Sequence, residues 1–341
     1  MKKLSWVDKI LFLLNSLLAA TLLLSNLLPY LSPKTFGIIT VFSLAVPVLI
    51  VLNILFVTYW IVKLKKQFLL SVLILAVGFN QLNLLYKIAD KEILLTDDLK
   101  VMSYNVRLFN IYKWKKEGKE ETLKLVSDFI ENKDPDIICF QEFLTDYDVN
   151  FDYQYKYIQR NANKKISYFG LAIFSKYKII NKGSLNFKES ANNTIFVDII
   201  KNKDTIRVYN VHLESQQIQL NKENFGEKDT ERLLKRLRKT FQKQVTQAEQ
   251  IVTHEATCKY KTIVMGDFNN TAFSWAYHKI KVDKNDAFVE AGKGFGKSYD
   301  YFFPARIDFI LTDKAFEINN FKTYNIKYSD HFPIMARLRI N

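Results

Sequence analysis

Cysteine is scarce in this sequence, with Cys139 and Cys258 its only two among 341 residues. Two thiols do not make a disulfide framework. Cys139 lies inside an apolar run, where it reads as a small buried hydrophobe. Acids are nearly missing from the first quarter of the chain: residues 1–90 hold eight lysines against Asp8 and Asp90. No repeat period is visible, which excludes a solenoid. No small-residue cleavage pattern follows the first apolar run, which argues against a removable signal peptide.

Long apolar stretches fill that first quarter. Residues 10–28, 36–62 and 68–86 each approach or exceed the roughly 20 apolar residues that cross a bilayer. They read as three retained membrane helices, the third carrying Asn80, Gln81 and Asn83, which need internal partners in lipid. Lys2, Lys3 and Lys9 precede the first span, and Lys63, Lys65 and Lys66 separate the second from the third, against Lys34 alone on the other side. Lysine favours the cytoplasmic side, so the amino terminus belongs inside. Three crossings then place residues from about 90 onward on the periplasmic or extracellular side of a cell inner membrane. The expected division is a three-helix transmembrane anchor over 1–90 and a soluble domain over 95–341.

The net charge of +14 leaves +8 on the soluble part once the +6 of residues 1–90 is removed. A basic domain suits an anionic substrate or surface, such as nucleic acid, phosphoinositide or anionic lipid, though a generally lysine-rich composition has the same effect. Charge is densest over 215–245, with Lys222, Arg232, Lys235, Arg236, Arg238 and Lys243 against Glu223, Glu227 and Glu231. A solvated helix face explains most of this, and a phosphate-tracking or membrane-facing patch is the sharper reading.

From Lys100 onward, short apolar strands alternate with amphipathic helical stretches. Leu123, Val126 and Ile130 recur at helical spacing before Asp134-Pro135 ends that helix, and Leu233, Leu237, Phe241, Val245, Ala248 and Ile251 mark a long one. The pattern is a layered α/β domain with a mixed, two-sheet core.

Five strand-like runs end in a carboxylate, amide or imidazole: Val101–Asn105, Ile137–Glu142, Val208–His212, Ile263–Asn269 and the segment closing on Ser329-Asp330-His331. Polar residues just past buried strands project from the sheet edge into one crevice, which makes a site. A sixth run, Arg306–Leu311, carries Asp308 among apolar neighbours. A buried carboxylate there calls for a cationic or imidazole partner.

Phosphodiester cleavage needs a divalent cation on the phosphoryl oxygens, a group to align or deprotonate water, and donors for the developing charge. Mg²⁺ takes oxygen ligands including one or two carboxylates, which Glu142, Asp330 and the Asn105 amide supply. Asp267 and Asn269, after Gly266, face one reacting centre, and His212 and His331 donate to phosphate oxygens. Two other motifs fail on their own terms. His254-Glu255 lacks the second histidine of a zinc-protease helix, and Gly292–Ser298 lacks the first glycine and strand-to-helix setting of a phosphate loop. The latter reads as a flexible substrate-side loop. His254 and His278 match no motif.

In this order, with Gly266-Asp-Phe-Asn269 and Ser329-Asp-His331 the most specific, these residues resemble the endonuclease/exonuclease/phosphatase superfamily. That superfamily includes DNase I-like nucleases, inositol polyphosphate 5-phosphatases and neutral sphingomyelinases. The resemblance spans about Lys100 to Ile340. It implies a four-layer α/β sandwich with two packed mixed sheets. It also implies metal ligation (Mg²⁺, or Mn²⁺) by Asn105 and Glu142 with Asp330 near or on the same ion, and phosphate donation from His212. Asp267 would align or deprotonate water, Asn269 would be its hydrogen-bonding companion, and Asp308 would orient His331. Some members carry an acid where this chain has Arg107, which removes one potential metal ligand. The expected activity is a membrane-embedded, metal-dependent phosphodiesterase or nuclease, with a phosphoester of nucleic acid or a phospholipid head group as substrate. The alternatives are a lipid head-group phosphatase or sphingomyelinase-like phospholipase C, and an inactive scaffold on the same fold. Specificity would lie in loops 110–120, 143–165, 214–230 and 290–300.

Overall fold

In the computed structural model, helix α1 (Trp6–Ser25) starts at a reciprocal cap in which Ser5 Oγ accepts from the Asp8 N–H and the Asp8 carboxylate accepts from the Ser5 N–H. Helices α2 (Pro33–Val41) and α3 (Val46–Val62) form a second apolar rod, kinked at Phe36 and Gly37. Helices α4 (Phe68–Val77) and α5 (Phe79–Leu85) meet at a 77° bend. Among the described residues, two helices are therefore long and apolar enough to cross a membrane, or three if the bent pair counts as one span. The third stretch is not the straight helix expected from its composition. Gly78, a poor helix former, sits at the bend, and Asn80, Gln81 and Asn83 all fall beyond it on α5.

Polar groups inside the helical segment pair with one another. Asn15 donates to Ser71 (2.6 Å), Ser71 to Asn53 (3.0 Å) and the Trp60 indole to Asn15 (2.8 Å), tying α1, α3 and α4 together. Leu13, Leu24, Leu55 and Leu73 face outward on the same helices. Polar inside and apolar outside is the arrangement suited to a lipid surround.

The described residues are 4–146, 149, 151–161, 168–216, 227–301 and 303–340. Lys2, Lys3, Lys222 and Glu223, the side chains of Glu227 and Lys228, and parts of loops 143–165 and 214–230 lie outside them. After the helices come β1 (Leu99–Asn105), α6 (Lys119–Lys133), β2 (Ile137–Leu144), β3 (Tyr155–Arg160), β4 (Phe169–Ser175), β5 (Ile179–Ser184), β6 (Thr194–Lys201) and β7 (Asp204–His212). There follow α7 (Glu227–Ala256), β8 (Lys261–Asp267), α8 (Trp275–Lys281), β9 (Lys284–Asp286), α9 (Ala287–Ala291), β10 (Asp308–Asp313), β11 (Phe316–Thr323) and β12 (Ile334–Ile340).

Two six-stranded mixed sheets run β11-β12-β1-β2-β4-β3 and β5-β6-β7-β8-β10-β9. In each, one central pair is parallel, β1 with β2 and β7 with β8. The facing apolar sides interdigitate through Val101, Ile137, Cys139, Val208, Ile263, Met265 and Ile334, all essentially inaccessible to solvent. Outer helices cover the remaining faces, α6 on the first sheet and α7 on the second, as their apolar periodicity requires. This is the four-layer α/β sandwich. Beneath the site, Gln141 donates to Asn210 Oδ1 (2.7 Å), and Asn210 donates to the carbonyls of Phe140 (2.8 Å) and Ala172 (2.9 Å), a polar bridge from one sheet to the other.

The helical segment rests on this sandwich by one end. Lys34 pairs with Glu249 (2.6 Å), the Tyr30 ring meets that of His278 (4.6 Å), and Lys87 exchanges backbone hydrogen bonds with Gly294 (2.8 Å each). Phe273 inserts among Ala19, Leu22, Leu28, Val46 and Leu85. The other end carries Lys63, whose ammonium lies 3.9 Å from Asp8.

Candidate active site

His212, Asp267 and Asp308 form one row across three neighbouring strands. His212 closes β7 opposite Asp267 at the end of β8, and Asp267 lies opposite Asp308 at the start of β10. Directly opposed residues share a sheet face, so the register alone gathers imidazole and carboxylates. Gly266 makes room for the row. Its φ is +145°, and a Cβ there would lie 1.9 Å from the Val211 carbonyl oxygen.

The other sheet contributes Asn105, the last residue of β1, and Glu142 on β2. The pairing of β2 with β4 shifts register between Phe140 and Phe143, and Glu142 adopts a left-handed φ of 49°. This irregularity turns Glu142 out of the ladder and toward the crevice, a familiar use of bulges beside functional sites.

Asp267 Oδ2 is the hub. The Asn105 amide donates to it at 3.0 Å, His212 Nε2 lies 3.6 Å away and His331 Nε2 3.7 Å away. Its other oxygen accepts the Asn269 N–H at 2.7 Å. The Asn105 amide also reaches Glu142 Oε1 at 3.4 Å, while its oxygen accepts the Arg107 N–H at 3.0 Å. The Asn269 side chain donates to the Leu213 carbonyl (3.0 Å), so its backbone rather than its amide serves Asp267. His331 Nδ1 and Asp308 Oδ2 are 3.0 Å apart, the imidazole partner that the buried acid called for. Ser298 Oγ accepts the N–H groups of Ile307 and Asp308, both at 3.0 Å.

Burial and neighbouring charge set the protonation preferences. Burial, reinforced by repulsion from His331, pushes the His212 pKa down to about 3, so its ring is neutral. Burial opposes a charge on His331, but the carboxylates of Asp308 and Asp267 outweigh it and hold the ring up at about 10. Burial raises the Asp267 carboxyl, and burial together with the Asp330 charge raises that of Glu142.

The six-stranded pair of sheets, the row and the two imidazoles around one carboxylate accompany a match of residues 102–331 to the Endonuclease/Exonuclease/phosphatase family. The chain belongs to that family. Residues 8–85 match a second family, described as Domain of unknown function (DUF8431). No curated protein matches the sequence. Similar solved structures include a mannosyl-6-phosphatase of Bacteroides thetaiotaomicron (TM-score 0.53, 17% identity, covering 71% of this chain and 100% of that one). The catalytic domain of human Nocturnin with bound sulfate is another (TM-score 0.53, 15% identity, 76% and 98% covered). A third is an endonuclease/exonuclease/phosphatase of Bacteroides vulgatus (TM-score 0.54, 18% identity, 72% and 100% covered).

Phosphoester hydrolysis with divalent metals is typical of this family. The residues here suit such an ion. Glu142, Asp330 and Asp267 offer hard oxygen donors, whereas Asn105 turns its NH2 toward Glu142 and Asp267 and would ligate only with its amide flipped; His212 Nε2, buried, has no hydrogen-bond partner among the described residues. Ligand atoms of Asp267, Asp308 and His331 also lie within 4.8 Å of one another. A His331 ring held as imidazolium offers no lone pair, so the oxygen set around Glu142 fits a hard cation better.

Two expectations need correction. Ser329–His331 lies in a loop that precedes β12, not past the end of a strand, and Ser329 Oγ shapes it by accepting the His331 N–H (3.2 Å). The Gly292–Ser298 segment is pinned rather than loose: Gly294 pairs with Lys87, Phe295 packs edge-on against Tyr86, and Ser298 braces β10. Sequence reading also missed what Arg107 does. Its guanidinium lies 2.9 Å from Asp330 and 4.1 Å from the centre of the Trp114 ring. The cation following Asn105 was visible in the sequence, but its partner 223 residues on was not. His254 and His278 have structural neighbours, Tyr209 and Tyr30, and both cysteines are free.

Proposed function

We propose that this chain is a membrane-anchored, divalent-metal-dependent hydrolase that cleaves phosphoester bonds by attack of water, with residues 1–90 as anchor and 95–341 as catalytic domain. The convergence of the His212–Asp267–Asp308 row with Asn105 and Glu142 from the opposite sheet carries this reading. Glu142, Asn105 and Asp330 would hold Mg²⁺ or Mn²⁺. When bound, the ion would neutralise phosphoryl oxygens and polarise the ester. Asp267 aligns water and takes its proton, held in place by the Asn105 amide and the Asn269 N–H. Neutral His212 donates one N–H to a phosphate oxygen, and His331, kept protonated by Asp308, supplies positive charge to the developing phosphorane. A filled set of polar positions argues against the inactive-scaffold reading. The apolar outer surface of the helices supports the anchor, and the lysine asymmetry supports a periplasmic or extracellular catalytic domain.

The test is a substrate panel on the full-length protein in detergent with Mg²⁺, covering DNA, RNA, inositol phosphates, sphingomyelin and a chromogenic phosphodiester. Hydrolysis of at least one, abolished by EDTA and restored by Mg²⁺ or Mn²⁺, is expected. Turnover that persists in EDTA sinks the metal assignment.

A further inference from the structure

A cavity of about 940 Å³ opens directly from the candidate active site, at the upper end of the size range of small-molecule pockets. Its polar end is bounded by Glu142, Arg107, Asp330, His331 and Asn269. Its far wall belongs to neither sheet. Leu44 just before α3, Pro47 and Val48 in its first turn, and Leu84 and Leu85 at the end of α5 close it together with Phe273. One continuous space therefore runs from phosphoester chemistry to an apolar surface built by the membrane helices.

The placement of that wall is specific. Val46 and Leu85 pack with Leu28 and Phe273, which sets Leu44–Val48 and Leu84–Leu85 where the helical segment rests on the sandwich, away from the Lys63 end. That docked end is where a helix emerges from a bilayer on the side of the catalytic domain. Arg306 holds the α5 wall in position. Its guanidinium is buried, bonded to Asp286 (2.7 Å), and reaches the Leu84 carbonyl (3.4 Å). A soluble sugar phosphate brings little apolar surface to such a wall, and nucleobases are held by stacking on aromatic rings rather than on leucine, valine and proline, so this wall suits a hydrocarbon chain better.

We propose that the substrate is an amphiphilic phosphoester, with its phosphate at Glu142, His212 and His331 and its hydrocarbon chain along Leu44, Val48, Leu84, Leu85 and Phe273. This rests on the phosphoester-hydrolase reading and narrows it to lipid-linked substrates. The reaction is balanced as hydrolysis: water adds to phosphorus, one P–O ester bond breaks, and the departing oxygen takes the proton lost by water. The products are an alcohol and a phosphate.

The test compares methyl and hexadecyl p-nitrophenyl phosphate on the full-length protein in detergent micelles with Mg²⁺. The expected result is a kcat/KM for the hexadecyl ester at least about tenfold above that of the methyl ester, carried mainly by KM. Micelles concentrate any long-chain ester, so the deciding measurement is the same ratio in Val48→Glu and Leu84→Glu, each verified as folded by its thermal unfolding. Charge placed on the wall is expected to bring the ratio down toward one. Should the ratio be near one in the wild type, or survive both wall substitutions, the proposal is overturned while hydrolysis of the methyl ester leaves the phosphoesterase reading standing. Hydrolysis of neither ester overturns the proposal, while the substrate panel, which includes phosphomonoesters, decides the phosphoesterase reading separately.

Discussion

The Arg107 guanidinium grips the Asp330 carboxylate at 2.9 Å and lies 4.1 Å from the centre of the Trp114 ring. A cation thus stands two residues after Asn105, and it offsets the charge of one carboxylate proposed to serve a metal. In the proposed metal site Glu142 would then be the principal charged ligand.

Arg107→Gln should lower the Mg²⁺ concentration needed for half-saturation. Removing a partly exposed like charge from beside a cation site is worth about 1 kcal/mol, or roughly fivefold in affinity. Calorimetric titration of Mg²⁺ into the two proteins checks this, and unchanged or weaker binding would show that Arg107 does not oppose the ion.

Glu142→Gln keeps shape and removes charge. Turnover should fall by roughly two orders of magnitude or more, with the Tm nearly unchanged because the side chain is about one-third exposed (32%). Steady-state rates beside thermal unfolding curves separate these effects.

Asp308 and His331 should behave as one unit. His331 has a folded pKa raised to about 10 from an ordinary value of 6.5, so the stability its charge contributes is complete below about 6.5 and is lost as pH rises through 10. Asp308→Asn removes the supporting carboxylate, so the alkaline limb of the pH–rate profile should move to lower pH and turnover should fall. In the cycle with His331→Ala, the double variant should lose far less than the sum of the single losses, with a coupling of about 2 kcal/mol. Additive losses would mean that the two side chains act independently.

Gly266→Ala should be among the most damaging small substitutions. The new methyl meets the Val211 carbonyl oxygen at 1.9 Å in a backbone conformation that L-residues avoid, and Val211 and Gly266 are opposed on the parallel strands β7 and β8. A loss on the order of 3 kcal/mol is expected, read as a lowered Tm together with lost activity.

Topology follows from the lysine distribution. A reporter that works only in the cytoplasm, fused after Ile340, should be silent, and one that works only outside should be active. The opposite pattern inverts the orientation.

The sequence alone determined much of the site, because strand ends announce themselves. Asn105, His212 and Asp267 each follow an alternating or continuous apolar run, and residues at the ends of neighbouring buried strands must share an edge. Apolar length likewise revealed the amino-terminal helices, since length and hydropathy sufficient to cross a membrane are properties of composition. What depended on partners far along the chain was not legible. Whether Asn105 turns oxygen or nitrogen toward Asp267, 162 residues away, depends on the Arg107 N–H that claims its oxygen. The bulge that aims Glu142 comes from a register shift against β4, and the bend at Gly78 became visible only as an angle between helices. The cavity wall is the clearest case. Leu44 and Leu84 look like ordinary apolar membrane residues, and only the docking of their helices through Lys34, Tyr30 and Lys87 places them beside a phosphoester site. Local patterning fixes which residues are apolar and where strands stop, whereas the contacts between distant segments are settled by packing that no local pattern encodes.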